Sequence, residues 1–263
     1  MKIAIPSKGR IDFPAKKLCE SIPQDTYVFV NPSEYNLYLK NNPNNFNIVS
    51  VTEEKNLTYV MEFINEFFNE KFVLIDDDVS GLSVRDGLTK GEYPKLRSLK
   101  SDEIKQAFDD IEKCMKDYGL SLLCLREVQS NWYSKSILEL ANVGYRVVFF
   151  DGKAIKDKNL HYDKDIYLNS DVEFYIQMAK AGLRIGTYFK YAFSSVSEKF
   201  DTSGGCSEVK NKAYTLNDCN KVFQKHNMDK NIKIKLHPKF NRHGIVCNWK
   251  KLSPLDYWSK ICV

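Results

Sequence analysis

Lys71-Phe72-Val73-Leu74-Ile75-Asp76-Asp77-Asp78 decides how this chain is read. An apolar run the length of a short buried strand stops abruptly at three aspartates. Carboxylates repel one another and are costly to desolvate, so such a cluster needs solvent or a cation beside it. In an open α/β sheet the C-terminal strand edge is also where ligands bind. Hard divalent cations take oxygen ligands, and carboxylates one residue apart at a strand end converge on one ion. A solvated acidic turn would use the same residues. The cluster therefore gains meaning only from what the rest of the chain places beside it.

Working outward, strand and helix patterns alternate. Lys2–Pro6 and residues 26–31 and 47–51 read as short strands before the acidic one. Asp12 and Pro14 mark a helix start, and Ser33 can cap a helix running to Lys40. Leu57, Val60, Met61, Ile64, Phe67 and Phe68 recur at helical spacing. Short buried strands separated by helices predict a largely parallel sheet with right-handed crossovers. Residues 80–99 carry Gly81, Gly87, Gly91 and Pro94 without a period and read as a loop, a candidate lid beside the aspartates. A charged helix follows from Ser101, then strands over 120–128 and 145–151. A helix over 170–181 is closed by Gly182, and a strand follows over 183–189.

The 263 residues, 43% of them hydrophobic, suffice for a substantial core. No apolar run is long enough to span a bilayer, and Pro6 breaks the N-terminus too early for a secretory signal. The expected location is the cytoplasm. The seven cysteines form no CxxC pair and read as reduced and structural. Net charge is only +5, but from Gly205 onward twelve Lys and Arg face four Asp and Glu, a local +8. The rest carries 27 basic against 30 acidic residues. This lopsidedness divides the chain into a core over 1–204 and a basic segment over 205–263 packed on it, facing a polyanion.

Two further motifs bear chemistry. Ile5-Pro6-Ser7-Lys8-Gly9-Arg10 lies at the C-terminal end of the first strand, on the same edge as the aspartates. Lys8 and Arg10 suit a diphosphate, Arg by forked contacts, and Gly9 permits close backbone approach. The spacing matches neither a P-loop nor a dinucleotide fingerprint. Asn169-Ser170-Asp171-Val172-Glu173 opens a helix, where the dipole favours negative charge. Asp171 or Glu173 is then either a cap or a general base facing a hydroxyl.

The ordered set of Ile5–Arg10, Leu74–Asp78, Ser170–Phe174 with Ala181-Gly182, and Gly204-Gly205-Cys206 resembles the GT-A glycosyltransferases. More narrowly, it resembles the phage and TET-associated enzymes that glycosylate hydroxymethylated pyrimidines in DNA. The resemblance spans about residues 1–210. It implies a GT-A-like α/β fold with a mostly parallel sheet flanked by helices, a UDP-sugar donor, and Mn2+ or Mg2+ on a DxD motif. Carried over, Asp76 and Asp78 form the DxD, with Asp76 shared with the donor's ribose. Pro6, Ser7, Lys8, Arg10, Asp76 and Asp77 are the donor-side residues. Asp171 matches the acceptor-side acid, with Glu173 the other candidate because Ser170 stands where a second acid is usual. Such enzymes often add a late histidine to the metal, for which His237 and His243 are candidates.

The function this implies is metal-dependent transfer of a sugar to the hydroxymethyl group of 5-hydroxymethylcytosine or -uracil in phage DNA. Lys210, Lys212, Lys239, Arg242, Lys250 and Lys251 stand on the DNA side, and Trp132, Tyr133, Phe240, Trp249 and Trp258 are candidates to stack on a base. Two alternatives keep less of the pattern. One moves the acceptor to a glycan, lipid carrier or protein. The other is a non-enzymatic nucleic-acid-binding module, which leaves the shared strand-edge placement of the motifs unexplained.

Overall fold

A computed structural model describes residues 1–54, 56–86, 95–131, 136–196, 212–238 and 242–254. The strands are β1 (Lys2–Pro6), β2 (Thr26–Val30), β3 (Asn47–Ser50), β4 (Lys71–Ile75), β5 (Val79–Asp86), β6 (Lys95–Ser98), β7 (Leu122–Glu127), β8 (Leu138–Leu140), β9 (Val147–Asp151), β10 (Ile185–Ser195), β11 (Ile232–His237) and β12 (Arg242–Cys247). The helices are α1 (Ala15–Cys19), α2 (Tyr35–Lys40), α3 (Leu57–Phe67), α4 (Ser101–Tyr118), α5 (Val128–Asn131), α6 (Gly152–Asp157), α7 (Ser170–Lys180), α8 (Lys212–Lys225) and α9 (Trp249–Leu252).

One mixed sheet runs β3-β2-β1-β4-β9-β7-β10-β5-β6, with β8 added on β10. β9 opposes both its neighbours, and β5 and β8 oppose β10; the other seven of the ten strands point one way. The expected α/β sheet of mostly parallel strands is therefore present. The central strands are buried on both faces, so they read as unbroken apolar runs. Their alternation still sorts the side chains. Ile3, Ile5, Val73, Ile75, Leu123, Leu125, Val147 and Phe149 join one core, with Ile104, Phe108, Ile111 and Met115 of α4 above them. Ala4, Phe72, Leu74, Leu122, Cys124, Val148 and Phe150 join the other, beneath α3, α7 and Val222 of α8. Cys19, Cys114, Cys124 and Cys219 are free and buried, as expected of small core hydrophobes.

Residues 80–99 differ from the expected loop. β5 pairs with β10, and β6 pairs with β5. Gly81 and the interspersed charges hide the two-residue period, and β10 supplies the ladder that local composition does not announce. The span 87–94 lies outside the described residues. Towards the C-terminus, α8 and the two-stranded ribbon of β11 and β12 stand beside α7. No helix among the described residues is long and apolar enough to cross a membrane.

Candidate active site

Parallel pairing of β1 with β4 brings the Ser7–Arg10 loop against the aspartates. Asp77 is the clasp. Its Oδ2 accepts a hydrogen bond from the Ser7 hydroxyl at 2.9 Å, and Arg10 Nη1 reaches its Oδ1 at 2.6 Å. The Tyr38 hydroxyl closes the loop from the other side, 2.9 Å from Ser7 Oγ, accepting from the Arg10 amide and donating to the Arg10 carbonyl. Gly9 takes a left-handed turn at φ 70°, which an L side chain rarely adopts. Pro6 and Ser7 are buried while Lys8 stays exposed at the tip. Of the two basic residues expected on the donor side, Arg10 thus holds the acidic strand end, and Lys8 is the one presented to solvent.

Asp78 is held from the opposite side. Arg146 Nη1 lies 3.0 Å from its Oδ2. Arg146 sits just before β9 with φ 72°, a left-handed conformation uncommon for a non-glycine residue. Its carbonyl accepts from the Asp76 amide at 2.8 Å. Gly144 makes this turn possible: a Cβ there would lie 2.5 Å from the Leu125 carbonyl oxygen.

Among the described residues, Asp76 makes no such ion pair. Burial, followed by the charge of Asp78, pushes its carboxyl up to about 7; Arg146 pulls the other way. Among the described residues, two guanidiniums thus partner two of the three carboxyls, and Asp76 is the one without a cation at a ligand-binding edge. That hard-oxygen donor set is of the kind a divalent cation such as Mn2+ or Mg2+ takes. Among the described residues, no group of three ligands with donor atoms within 4.8 Å of one another includes Asp76, Asp78, His237 or His243. The group of described residues that does meet this criterion is Glu62, Glu66 and His161, on α3 and in the segment after α6.

The two histidines line a different cleft, of about 240 Å³, with Tyr145, Leu168, Asn169, Asp171, Val172, Thr215, Arg242, Gly244 and Ile245. Asp171 is in the first turn of α7 and accepts from the Val172 amide at 2.7 Å. The helix cap is Asn169, not Asp171. Burial pushes the Asp171 carboxyl up to about 6, its amide contacts oppose that, and the charge of Asp218 adds to it. Asp171 in turn raises Asp76, which places the two carboxyls in one electrostatic field. The His243 Nδ1 is buried and finds no hydrogen-bond partner among the described residues.

A model of the TET-associated glycosyltransferase family matches residues 1–205. The chain belongs to the TET-associated glycosyltransferase family. Its fold is also that of solved glycosyltransferases of the GT-A type. It superposes on S. aureus TarS 1-349, solved with UDP-GlcNAc, with a TM-score of 0.55 at 11% identity over 86% of this chain and 66% of that one. GalNAc-T7, solved with UDP, GalNAc and Mn2+, gives 0.50 at 8% identity over 85% and 48%. A mycobacterial protein gives 0.53 at 7% over 94% and 82%. The chain spans 61% of another structure of TarS 1-349. No curated protein sequence matches it significantly.

In this TET-associated glycosyltransferase, the other candidate base is placed away from chemistry. Glu173 has no exposure; Lys225 Nζ lies 2.9 Å and His226 Nε2 3.2 Å from its Oε1, and Gln177 donates to both oxygens. A carboxylate enclosed by such partners cannot meet an acceptor hydroxyl, so the assignment to Glu173 is corrected. Two residues along a helix turn the side chain by about half a circle from Asp171, which explains the separation.

Sequence reasoning missed Arg146, Tyr38 and Asp218. Asp218, 2% exposed on α8, accepts from the amides of Tyr167, Leu168 and Asn169 and from Asn169 Nδ2 at 2.8–3.0 Å. It thereby fixes the turn that feeds Asp171 into α7. Of the expected DNA-side residues, Arg242 lines the cleft and Lys250 and Lys251 are exposed on α9. Lys212 begins α8. Lys210 and Lys239 lie outside the described residues, as do Trp132, Tyr133, Phe240 and Trp258. Trp249 packs on the core.

Proposed function

We propose that the chain transfers a sugar from a UDP-sugar to the hydroxymethyl group of a modified pyrimidine, 5-hydroxymethylcytosine or -uracil, in phage DNA. The observation that carries this reading is the Asp77 clasp, which joins the basic loop and the DxD at one strand edge in a TET-associated glycosyltransferase. Lys8, exposed at the loop tip, meets the diphosphate, and Arg10 and Ser7 hold that loop in place through Asp77. Asp76 and Asp78 would hold a divalent metal, which when bound neutralises the diphosphate leaving group. Asp171, ionised at neutral pH, accepts the proton of the acceptor hydroxyl while its oxygen bonds the anomeric carbon. The anomeric carbon–phosphate oxygen bond breaks, and UDP leaves with the electron pair. The basic segment over 205–263 packs on the core over 1–204 and forms the DNA side.

The direct test incubates the protein with a panel of nucleotide sugars, Mn2+ or Mg2+, and hydroxymethylated DNA, and reads the nucleosides by mass spectrometry. A mass gain of one sugar on the modified base is the expected result. No gain with any donor, alongside transfer to a glycan or peptide, overturns the choice of acceptor.

A further inference from the structure

The β11–β12 ribbon has two unlike faces. Opposed residues of an antiparallel pair share a face, and alternate residues swap faces. The pairs Ile232–Cys247, Ile234–Ile245 and Leu236–His243 make one face. Its Ile232, Ile245 and Cys247 pack into the core with Val222 and Phe223 of α8. The intervening pairs, Lys233–Val246, Lys235–Gly244 and His237–Arg242, make the other. Lys233, Lys235 and His237 are exposed there, and neither lysine forms an ion pair among the described residues. The face carries no acidic residue. At its His237–Arg242 end the ribbon lines the Asp171 cleft, through His237, Arg242 and Gly244 of this face and His243 and Ile245 of the other. Gly244 makes room for the His237 ring, since a Cβ there would sit 3.1 Å from Nε2.

We infer that this outward face is the DNA-docking surface, laid along the duplex so that Lys233 and Lys235 take phosphates while the His237–Arg242 end meets the modified base. The inference rests on the DNA-acceptor reading above and narrows its contact from the basic segment as a whole to one face of one element. The chemistry agrees in three ways. A two-residue strand repeat sets Lys233 and Lys235 about 6.8 Å apart, so the pair presents two separate cations to a polyanionic backbone. The major groove admits a two-stranded ribbon. The 5-substituent of a pyrimidine projects into that same groove, as the thymine methyl does.

The test compares K233E/K235E with wild type for binding of a short hydroxymethylated duplex across a salt series. Donor-side competence is followed in parallel as UDP binding. A charge-matched control, K105E/K116E, alters two exposed lysines of α4. The expected result is a loss of about tenfold or more in affinity at low salt and a log K against log salt slope shallower by about 1.8, or 0.9 per phosphate contact. UDP binding is unchanged, and the control leaves the slope alone. K233Q/K235Q should show the same slope change with a smaller loss of affinity, which separates lost contacts from added repulsion. Equal slopes for wild type and K233E/K235E, or an equal loss in the control, overturn the ribbon assignment even if the DNA is glycosylated. Ribbon-dependent binding without any sugar transfer to DNA leaves the ribbon standing and removes the acceptor assignment. No duplex binding by wild type at low salt overturns both.

Discussion

The guanidinium of Arg10 lies 2.6 Å from Asp77 Oδ1, tying the loop after β1 to the acidic end of β4. Both side chains are largely buried, 22% and 12% exposed, so the contact is shielded from solvent screening better than a surface pair. Asp77→Ala should cost about 1–3 kcal/mol of stability, because Ser7 and Arg10 lose an acceptor in a partly buried place. It should also raise the KM for the UDP-sugar more than it lowers kcat. Chemical denaturation and steady-state kinetics check the two parts. An unchanged KM would show that the clasp does not shape the donor loop.

Asp171 carries the proton in the proposed reaction. Asp171→Asn should lower kcat by about 10²–10⁴ while UDP-sugar binding persists. In the parent protein, kcat/KM should rise with pH through about 6, as Asp171 loses its proton. A pH–rate profile without an acid limb near that value would shift the base role to another group.

In the proposed metal site, Asp76 would couple metal binding to pH. Its carboxyl, raised to about 7, holds a proton in the fold that it lacks when unfolded, at an ordinary value near 3.8. Stability without metal should therefore fall as pH climbs between those two values. A metal held there would displace the proton, so stabilisation by Mn2+ should grow as pH rises through about 7, reaching about 2.7 kcal/mol at 100 times Kd. Asp76→Asn should flatten both trends. Asp78→Ala should lower kcat/KM by about 10²–10³ with metal present. Full turnover in that variant would remove the DxD assignment.

Asp218 tests how α7 is held. Asp218→Ala should cost about 2–4 kcal/mol, since four donors lose one buried acceptor. Asp218→Asn removes a negative charge that raises Asp171, so the acid limb of its pH–rate profile should move to lower pH. A profile that does not move would separate Asp218 from the chemistry and leave it a purely structural anchor.

What was legible in the sequence followed range. Buried strands β1, β4, β7 and β9 are apolar runs, and the acidic and basic motifs sit at their ends, so local reading placed the Asp76–Asp78 edge beside Ser7–Arg10. Asp171 was visible for the same reason, as an acid in a first helical turn. Arg146, Asp218 and the Lys225 and His226 partners of Glu173 were not. Each acts on residues 49 to 68 positions away, and nothing in its own neighbourhood marks it. A question of charge balance would have found Arg146: three adjacent aspartates at a buried edge demand more cation than Arg10 supplies. β5 and β6 were hidden because glycines and charges dominate a stretch whose order comes from β10.

The match to the family model ends at residue 205, yet the helix bearing Asp171 is anchored by Asp218, Lys225 and His226, all beyond it. On the proposed reading, acceptor choice and base placement are then carried by one cassette of α7, α8 and the ribbon. Grafting the β11–β12 ribbon of another family member onto this core would transplant a target preference only if α8 travels with it. A graft cut between α8 and the ribbon would keep this chain's base geometry while presenting it to a foreign substrate.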